Sequence, residues 1–435
     1  MTLMEKIQDK SAKVLIIGGG YVGLPLGVRC AEEGFDTTIY DLDKSKIDSL
    51  NNGKSYIIDI SDEQLSPLIG NKLTAINNLE CYNSCNNKDR IAHIIVICVP
   101  TPLNKIKDPD VSFVVSAAKD INKNVLFEDE EEKLVILEST VYPGFTKEVL
   151  KKELLQDIIS DKYHIAFSPE RVDPGNKKFN IKNTPKIVGG IDEISTELSF
   201  EFYNLLIDIV VKVSSCDAAE MVKILENTFR LINIGLVNEM ALACKKLDID
   251  IWEVIDAANT KPYGFMKFTP GPGVGGHCIP LDPHYLVWKL RHFNYSSKFI
   301  ELASAINSQM PKEIVNLTTE ALNSIYKSVN GSNILIVGVS YKPNIDDVRE
   351  SPALDIIELL RNMGAIVHYY DPLVPYLYGI DLYSLSPQEV SVHQFDCGIV
   401  VANHNVIDYK FIKKSCKTIV DPRNVFTKGK DIFKL

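Results

Sequence analysis

The sequence predicts an α/β fold in which two doubly wound, Rossmann-like domains are joined by a central helical domain with one long helix. Three observations predict it. Strand-length apolar runs alternate with helical segments from Lys13 onward, a long helical pattern begins near Ser214, and the alternation resumes at Asn333. Such alternation is typical of parallel sheets covered by helices. For a chain of 435 residues we predict domains at 1–213, 214–312 and 313–435.

The first domain opens with a βαβ unit. Lys13-Val-Leu-Ile-Ile17 supplies the apolar run that a buried parallel strand needs. A helical stretch then ends at Gly34, a predicted helix C-cap, and Thr37–Tyr40 forms the next strand. Further strands are predicted at Ala92–Cys98, Lys133–Leu137 and His164–Phe167.

The middle of the chain predicts a helix of roughly 30 residues, or ~45 Å, ending near Leu247. Asp217 and Glu220 have the spacing of a capping box at its start. Apolar residues recur at helical intervals at Met221, Val222, Leu225, Phe229 and Ile232. A helix of this length often lies between domains or subunits. Two more helices are predicted at Lys298–Ser308 and Lys312–Lys327.

The third domain repeats the pattern of the first. Its predicted elements are a strand at Asn333–Val337, a helix at Ser351–Met363 capped by Gly364, and strands at Ala365–Tyr370, Cys397–Val401 and Thr418–Val420.

The composition favours a cytoplasmic enzyme. The chain is 45% hydrophobic and 24% charged, as in ordinary globular proteins. A net charge of −10 argues against general nucleic-acid binding. Apolar runs such as Ile94–Val99 are too short to span a membrane, and Met1–Lys13 lacks the apolar core of a secretory signal.

The nine cysteines indicate reduced thiols. Cys30, Cys98 and Cys244 lie in apolar or helical settings and are predicted to be small core residues. Cys81 and Cys85 have no second Cys/His pair at zinc-ligand spacing, so we predict no zinc site there.

A glycine-rich turn predicts a dinucleotide site. Gly18-Gly-Gly20-Tyr-Val-Gly23 fits the G-x-G-x-x-G fingerprint, which gives a tight turn and a bare backbone beside a pyrophosphate. Asp41 ends the next strand, where a carboxylate suits the ribose hydroxyls of NAD and repels the 2′-phosphate of NADP. The predicted NAD contacts are Gly18, Gly20, Tyr21, Val22, Gly23, Asp41, Lys46, Pro100, Thr101 and Thr140. Lys46 is nearly as well explained as an exposed helix lysine.

Polar motifs follow other predicted strands, at the edge where doubly wound sheets bind ligands. They are Val99-Pro-Thr-Pro102, Glu138-Ser-Thr140 and Ser168-Pro-Glu-Arg171. Strand termination alone explains the prolines. Thr140 and Glu170 differ, because a hydroxyl and a carboxylate that converge there would hold and activate a water.

Lys223 and Asn227 are four residues apart on the predicted long helix, hence neighbours on one face. This face lies opposite the apolar stripe that contains Leu225. A solvated polar face is the default interpretation, although a lysine near a reacting carbonyl is a good oxyanion stabiliser.

The least ordinary segment is Thr269–Pro283, with four glycines and four prolines among residues 270–283 around Cys278. A close-approaching, rigid backbone suits a nucleophilic thiolate, and Asp282 is a candidate base or water-orienting group. His277, Cys278, Asp282 and His284 also form a possible metal set, but adjacent His and Cys point poorly at one ion. With NAD, a thiolate would trap an aldehyde as a thiohemiacetal, which becomes a thioester and then an acid, a four-electron oxidation that uses two NAD.

Together with Gly338–Lys342, these motifs occur in the order found in the UDP-glucose/GDP-mannose dehydrogenase family, which the chain resembles along nearly its full length. The resemblance implies that Cys278 is the nucleophile and that Lys223 and Asn227 stabilise the oxyanion. It implies that Asp282, Thr140 and Glu170 manage water and protons. It also implies that the third domain binds the UDP portion and that homodimers form through the long helix.

The third domain carries its own sign of a phosphate-bearing ligand. The turn Gly338-Val-Ser-Tyr-Lys342 lacks the full dinucleotide fingerprint and carries a lysine instead, which suits a phosphate or sugar hydroxyl. Arg349 either adds a contact or pairs with Asp346 or Asp347. The predicted substrate contacts are Glu170, Arg171, Lys223, Asn227, Gly275, Lys342 and Arg423.

Within the family, Phe167–Asn176 and Lys186–Gly190 look most like members that oxidise UDP-N-acetylglucosamine for O-antigen and capsule synthesis. UDP-glucose, UDP-N-acetylgalactosamine and UDP-N-acetylmannosamine stay open as alternative substrates. Many members have an arginine before the cysteine loop that serves the neighbouring subunit, whereas this chain offers only Lys261 and Lys267. The rival hypotheses are a two-electron hydroxyacid-type dehydrogenase, a non-catalytic nucleotide-sugar binder and a metal site at His277/Cys278.

Overall fold

The structure is a computed structural model that describes residues 1–57, 59–80, 92–104, 108–126, 131–156, 162–173, 176 and 178–435. It contains two compact units, residues 1–226 with 284–294, and residues 227–283 with 295–435. Cys81 and Cys85 lie outside the described residues. Among the helices that the structure describes, none has the length and apolar character needed to cross a bilayer.

The first unit is built on an eight-stranded sheet. Its strands are β1 Val14–Ile17, β2 Thr37–Tyr40, β3 Leu73–Ile76, β4 Ile94–Ile97, β5 Lys133–Leu137, β6 Tyr163–Phe167, β7 Lys186–Gly190 and β8 Val210–Lys212. Their order is β3-β2-β1-β4-β5-β6-β7-β8, parallel throughout except where β6 pairs antiparallel with β7. The sequence prediction of a doubly wound sheet is confirmed.

Helices cover this sheet on both faces, as two apolar clusters on its alternating side chains indicate. They are α1 Leu3–Gln8, α2 Gly23–Glu32, α3 Lys44–Asn51, α4 Asp62–Leu65, α5 Ser112–Ile121, α6 Lys151–Leu154 and α7 Glu193–Asn204, with π-helical turns at Asn122–Leu126 and Thr146–Leu150. β1 and β4 are buried along their whole length, as the unbroken apolar runs predict.

The second unit contains a five-stranded parallel sheet in the order β10-β9-β13-β14-β15 and a two-stranded antiparallel pair, β11-β12. The strands are β9 Asn333–Val337, β10 Ile366–Tyr370, β11 Tyr376–Leu377, β12 Leu382–Tyr383, β13 Phe395–Val400, β14 Cys416–Val420 and β15 Ile432–Phe433. The helices are α9 Ile251–Ala258, α11 Lys298–Asn323, α12 Pro352–Asn362, α13 Pro387–Val392 and α14 Tyr409–Ser415. Two helices, α8 Cys216–Lys246 and α10 Asp282–Arg291, contribute residues to both units.

The two helices predicted on either side of Pro311 are one helix, α11. Proline removes a backbone hydrogen bond and usually interrupts a helix. Here Met310, Pro311 and Ile314 are all buried, and the apolar stripe continues from Ile300 to Leu322. Burial of that stripe outweighs the lost bond.

The long helix α8 has 31 residues, as predicted, but its start differs from the expected capping box. The Ser215 hydroxyl accepts from the N–H of Ala218 at 3.2 Å. The Glu220 carboxylate instead accepts from the N–H groups of Gly144 and Thr146, at 2.6 and 2.8 Å. Glu220 therefore fixes the loop after β5 rather than capping its own helix.

The faces of α8 differ in part from those predicted. Its exposed residues include Leu225, Phe229, Leu236 and Met240, which lie within about 60° of one another around the helix at 3.6 residues per turn. Its buried residues include the polar side chains Glu220, Asn227 and Asn238. The expected solvated polar face at Asn227 is wrong, because these side chains have hydrogen-bond partners inside the protein.

Candidate active site

The turn after β1 has the geometry that the glycine fingerprint predicts. Gly18 has a φ of +102° and donates its N–H to the carbonyl of Tyr40 at 2.7 Å. A Cβ on Gly18 would lie 2.6 Å from the carbonyl oxygen of Cys98, so only glycine fits.

The groups around this turn fit NAD. A Cβ on Gly20 would meet no atom within 4 Å, so the backbone is open where a pyrophosphate would pass. Val22 gives no side-chain cap to α2, so no protein side chain occupies the start of this helix. The Asp41 carboxylate accepts from the N–H of Gly19 at 2.8 Å and is 15% exposed. It therefore stands at the position that binds ribose hydroxyls.

The other predicted NAD contacts differ in their surroundings. Tyr21 is 46% exposed, and Lys46 lies 3.5 Å from the Asp41 carboxylate. Pro100 is exposed, whereas Thr101 is buried and its carbonyl accepts from the Tyr285 hydroxyl at 2.9 Å. Their contact with NAD stays a prediction.

Glu170 is held by several donors in the first unit. Its carboxylate accepts from Lys186 at 2.8 Å and from the N–H of Val172 at 2.6 Å. Its carbonyl accepts from the Lys223 ammonium at 2.5 Å. Burial alone would raise the pKa of Glu170, but the attraction of Lys186 and these hydrogen bonds lower it below its ordinary value. Glu170 is therefore an ionised acceptor at neutral pH.

Two other residues complete the predicted motifs of the first unit. Arg171 pairs with Glu226 at 2.6 Å and donates to the Pro185 carbonyl at 2.7 Å. A substrate contact of Arg171 would have to share this pairing. Thr140, two residues beyond Glu138, is half-buried.

Sequence reasoning missed Lys186, which lies between the carboxylates of Glu138 and Glu170 at 2.9 and 2.8 Å. One signal was available: the lysine directly precedes the apolar run of a buried strand, β7, where a charged side chain needs a partner.

In the second unit, the loop before α10 presents Cys278. The Cys278 carbonyl accepts from the N–H groups of Leu281 and Asp282 at 3.1 and 2.8 Å, and the side chain is exposed. The other described cysteines are buried, except Cys244, which is half-buried. The core prediction is thus confirmed for Cys30 and Cys98.

Asn227 and Asp282, predicted separately, lie in direct contact. The Asn227 amide donates to the Asp282 carboxylate at 2.6 Å, and the two residues are 5% and 4% exposed. This bond ties the end of the Cys278 loop to α8.

A second contact ties the start of the loop to α8 and was missed. The N–H of Gly271 donates to the Asn238 side chain at 2.9 Å. The Asn238 amide donates to Asn307 at 2.9 Å, and Asn307 donates to the carbonyl of Leu231 at 3.2 Å. All of these amides are buried. No signal in the sequence marks this contact, because periodicity does not show which face of α8 is buried.

The predicted UDP-side residues also belong to the second unit. A Cβ on Gly275 would lie 2.5 Å from the Glu350 carbonyl oxygen, so packing already requires glycine there. The Arg423 Nε donates to the Val401 carbonyl at 2.8 Å, and burial lowers the pKa of Arg423 to about 10. Lys342 is half-buried. Arg349 pairs with Asp347 at 2.6 Å, the second of the two interpretations given for it.

Within the described part of the chain, no group of three or more His, Cys, Asp and Glu side chains is placed to hold a metal ion. Burial and the charge of Arg349 lower the pKa of His277. Lys261 lies over the Tyr263 ring at 5.0 Å, and Lys267 pairs with Asp256 at 2.5 Å.

Three domain models of one family match successive parts of the chain. The NAD binding domain of the UDP-glucose/GDP-mannose dehydrogenase family matches residues 12–207, its central domain residues 217–309, and its UDP binding domain residues 335–428.

Relatives and solved structures agree with these matches. The chain is 33% identical to a UDP-N-acetyl-D-mannosamine dehydrogenase of Methanococcus maripaludis, over 94% of this chain and 90% of the relative. It is 33% identical to a UDP-N-acetyl-D-glucosamine 6-dehydrogenase of Salmonella typhi, over 90% of each. The structure of a UDP-D-ManNAc dehydrogenase from Pyrococcus horikoshii superposes with a TM-score of 0.86 and 30% identity, covering 97% of this chain and 98% of that one.

Proposed function

The chain belongs to the UDP-glucose/GDP-mannose dehydrogenase family and is an NAD-dependent UDP-sugar dehydrogenase; from this premise we propose that it oxidises the C6 alcohol of a UDP-N-acetylhexosamine to the uronic acid, with Cys278 as the nucleophile. The observation that carries the proposal is the exposure of this one thiol in a loop fixed at both ends to α8.

The turn at Gly18, the open backbone at Gly20 and the Asp41 carboxylate would hold the cofactor. NAD, when bound, accepts the hydride of each of the two oxidations. The chain's own residues bind the sugar, place its oxygen and move its protons.

In the first oxidation, the Lys223 ammonium and the Asn227 amide donate to the developing oxyanion. Both are strong donors, and Asn227 is held by its bond to Asp282. Thr140 and Glu170 accept from the alcohol proton and from water, a role that suits Glu170 because its carboxylate stays ionised.

In the second oxidation, Cys278 makes the covalent bond. The thiolate adds to the aldehyde carbon and forms a thiohemiacetal, whose loss of a hydride gives a thioester. A water oriented by Asp282 adds to the thioester carbonyl and expels the thiolate. The acid leaves, and the sulfur returns to its starting state.

UDP-N-acetylglucosamine is the first substrate to test, because the motifs Phe167–Asn176 and Lys186–Gly190 resemble enzymes that use it. UDP-N-acetylmannosamine is the second, because relatives 33% identical over nearly the whole chain act on it. We place the reaction in the cytoplasm. Its product would supply the synthesis of surface polysaccharides such as O-antigen or capsule.

The test is a panel of UDP-sugars assayed for NADH and for product mass. Two NADH per sugar oxidised and a uronic acid are expected, and one NADH with an aldehyde product would overturn the proposal. Cys278→Ala is expected to abolish acid formation while NAD binding is retained. Cys244→Ala, which removes a half-buried thiol, is the matched control and should keep wild-type turnover.

We further propose that two copies of the chain pair through α8. Leu225, Phe229, Leu236 and Met240 form an exposed apolar stripe along it, each 41% exposed or more. Such a stripe on a helix of 31 residues is typical of an interface between subunits. Leu236→Glu is expected to sediment as a monomer in sedimentation velocity. If the variant dimerises over the same concentration range as the wild type, this face of α8 is not the interface.

A further inference from the structure

We propose that Lys186 is a positioning residue for the reaction: its ammonium, buried between Glu138 and Glu170, holds the Glu170 carboxylate ionised and in one orientation. This inference rests on the proposed function, in which Glu170 handles water and protons.

The geometry places one cation between two carboxylates. The Lys186 side chain is 4% exposed and lies 2.9 Å from Glu138 and 2.8 Å from Glu170. It also lies over the Tyr203 ring at 5.1 Å from the centroid. Lys186 begins β7, and Glu138 and Glu170 follow β5 and β6, so three neighbouring strands meet at this group.

The two carboxylates of the cluster differ in their hydrogen-bond donors. Glu138 receives Lys186 and the Tyr203 hydroxyl on one oxygen, while its other oxygen is buried and has no partner among the described residues. An ionised carboxylate at that depth would need donors on both oxygens. Glu138 is therefore the less well satisfied carboxyl of the two, and burial raises its pKa.

Glu170 is the carboxyl that keeps its charge. Both of its oxygens have donors, Lys186 on one and the N–H of Val172 on the other. Its own carbonyl receives the Lys223 ammonium. Lys186 thus acts on the reaction through Glu170 and, through the backbone at that residue, on the position of Lys223.

The other titratable groups that face the cluster do not replace Lys186. They are the Cys30 and Cys98 thiols and the Tyr203 phenol, whose pKa values burial raises, and Lys223, which bonds the carbonyl and not the carboxylate of Glu170. Without Lys186, only the N–H of Val172 and the charge of Lys223 would oppose burial, and the pKa of Glu170 would rise.

The test compares Lys186→Gln, which removes the charge, with Lys186→Arg, which retains it. Loss of kcat on the acid side should begin about one pH unit or more higher in Lys186→Gln, since an opposite charge at contact lowers a carboxyl pKa by roughly 1–3 units. We expect kcat at neutral pH to fall at least tenfold while KM changes less than threefold. Lys186→Arg should recover part of kcat and restore the wild-type acid limb.

Lys133→Gln is the matched control. Lys133 is fully buried in the same sheet, at the start of β5, and its ammonium donates to the Ala92 carbonyl at 2.7 Å. Its replacement should lower the unfolding temperature without moving the acid limb of kcat. If Lys133→Gln and Lys186→Gln change the pH profile alike, the role of Lys186 is structural only and the inference is overturned.

Should Lys186→Gln fail to fold, the double variant Lys186→Gln/Glu138→Gln removes the buried ammonium together with one carboxylate. The same upward move of the acid limb is expected, because Glu170 still loses its cation, and an unmoved limb overturns the inference. Failure of the proposed function would show separately, as wild-type chain that yields no second NADH from any UDP-sugar.

Discussion

The first strand of the eight-stranded sheet and the first strand of the five-stranded sheet end in the same kind of turn. Gly18 and Gly338 both have a positive φ, +102° and +75°. Each donates its N–H to a tyrosine at the end of the neighbouring strand, Tyr40 at 2.7 Å and Tyr370 at 2.9 Å. An aspartate follows each tyrosine, Asp41 in one sheet and Asp371 in the other.

The two aspartates have different partners. Asp41 is partly exposed and accepts from two loop N–H groups, those of Gly19 and Asp43, with the Lys46 ammonium 3.5 Å away. Asp371 is fully enclosed and accepts from four donors, the N–H groups of Val339, Leu373 and Val374 and the Nε2 of His404. Asp41 can therefore take ribose hydroxyls, whereas Asp371 has no capacity left for a ligand.

The helices that follow the turns also differ. In the first sheet α2 begins five residues after Gly18 and has no side-chain cap. In the second sheet α12 begins fourteen residues after Gly338, with Pro352 in its first turn and the Ser351 hydroxyl bonded to the N–H of Ala353. The same strand–turn–strand arrangement is therefore open to a dinucleotide in the first unit, whereas in the second unit its polar groups bond to the loop itself. What each turn can bind depends on whether its polar groups already have partners within the protein, and not on the fold alone.

Asp371→Ala is expected to have the largest effect on stability. The substitution removes the shared acceptor of four donors and should lower the free energy of unfolding by about 3–5 kcal/mol. Urea unfolding would measure it. NAD affinity of the folded fraction should stay within twofold, and a selective loss of NAD binding would contradict the assignment of Asp371 as structural.

The same residue predicts a pH dependence. Burial alone would raise the pKa of Asp371, but the hydrogen bonds from His404 and Val339 hold it below its usual value of 3.8. A lowered pKa gives stability that is present above the unfolded value and is lost as the pH falls through the folded one. Asp371→Asn should remove this acid-side loss of stability.

Gly20→Val tests the opposite property in the first sheet. A side chain here meets nothing in the protein, so stability should change by less than about 1 kcal/mol. It would occupy the path of the pyrophosphate, and NAD affinity should fall roughly hundredfold, about 2.7 kcal/mol. Calorimetric titration with NAD and with UDP should show loss of the first ligand and retention of the second.

Asp41→Asn tests whether this carboxylate, unlike that of Asp371, acts on the cofactor rather than on stability. Loss of one charged acceptor should weaken NAD about tenfold, or about 1.4 kcal/mol, and should narrow the preference for NAD over NADP. KM values for both cofactors would measure it. The unfolding midpoint in urea should stay close to wild type, unlike that of Asp371→Ala.

The smallest expected effect is at the capped helix of the second unit. Ser351→Ala removes the acceptor for the N–H of Ala353 and should cost about 1 kcal/mol in the free energy of unfolding. Turnover with saturating UDP-sugar should be unchanged. A larger fall in turnover than in stability would mean that this helix end serves the substrate.

The local parts of the fold were predictable from sequence. Gly34 and Gly364 end helices with φ of +103° and +85°, and β9 has the predicted bounds. The Gly18 turn and Asp41 could be predicted because the glycine fingerprint and the aspartate at the end of the next strand lie within one short stretch of sequence. The exposed thiol of Cys278 followed in the same way from its run of glycines and prolines.

The contacts between distant segments were not predictable. Periodicity marks which α8 residues share a face but not which face is buried. Glu220, Asn227 and Asn238 are buried because each finds a partner in another segment. Lys186 was missed for the same reason, since both of its carboxylate partners lie on other strands.

The buried anchors of α8 have a further consequence for how this chain tolerates change in length. Glu220, Lys223, Asn227 and Asn238 each hold a different segment from one continuous helix. Deleting or inserting a single residue between Lys223 and Asn238 would turn every later side chain by about 100°. Such a change before Asn227 would place Glu226 or Thr228 where Asn227 bonds Asp282, and Val237 or Glu239 where Asn238 bonds Gly271. Point substitutions on the exposed face should be accepted far more readily than any change in the count of residues along this helix.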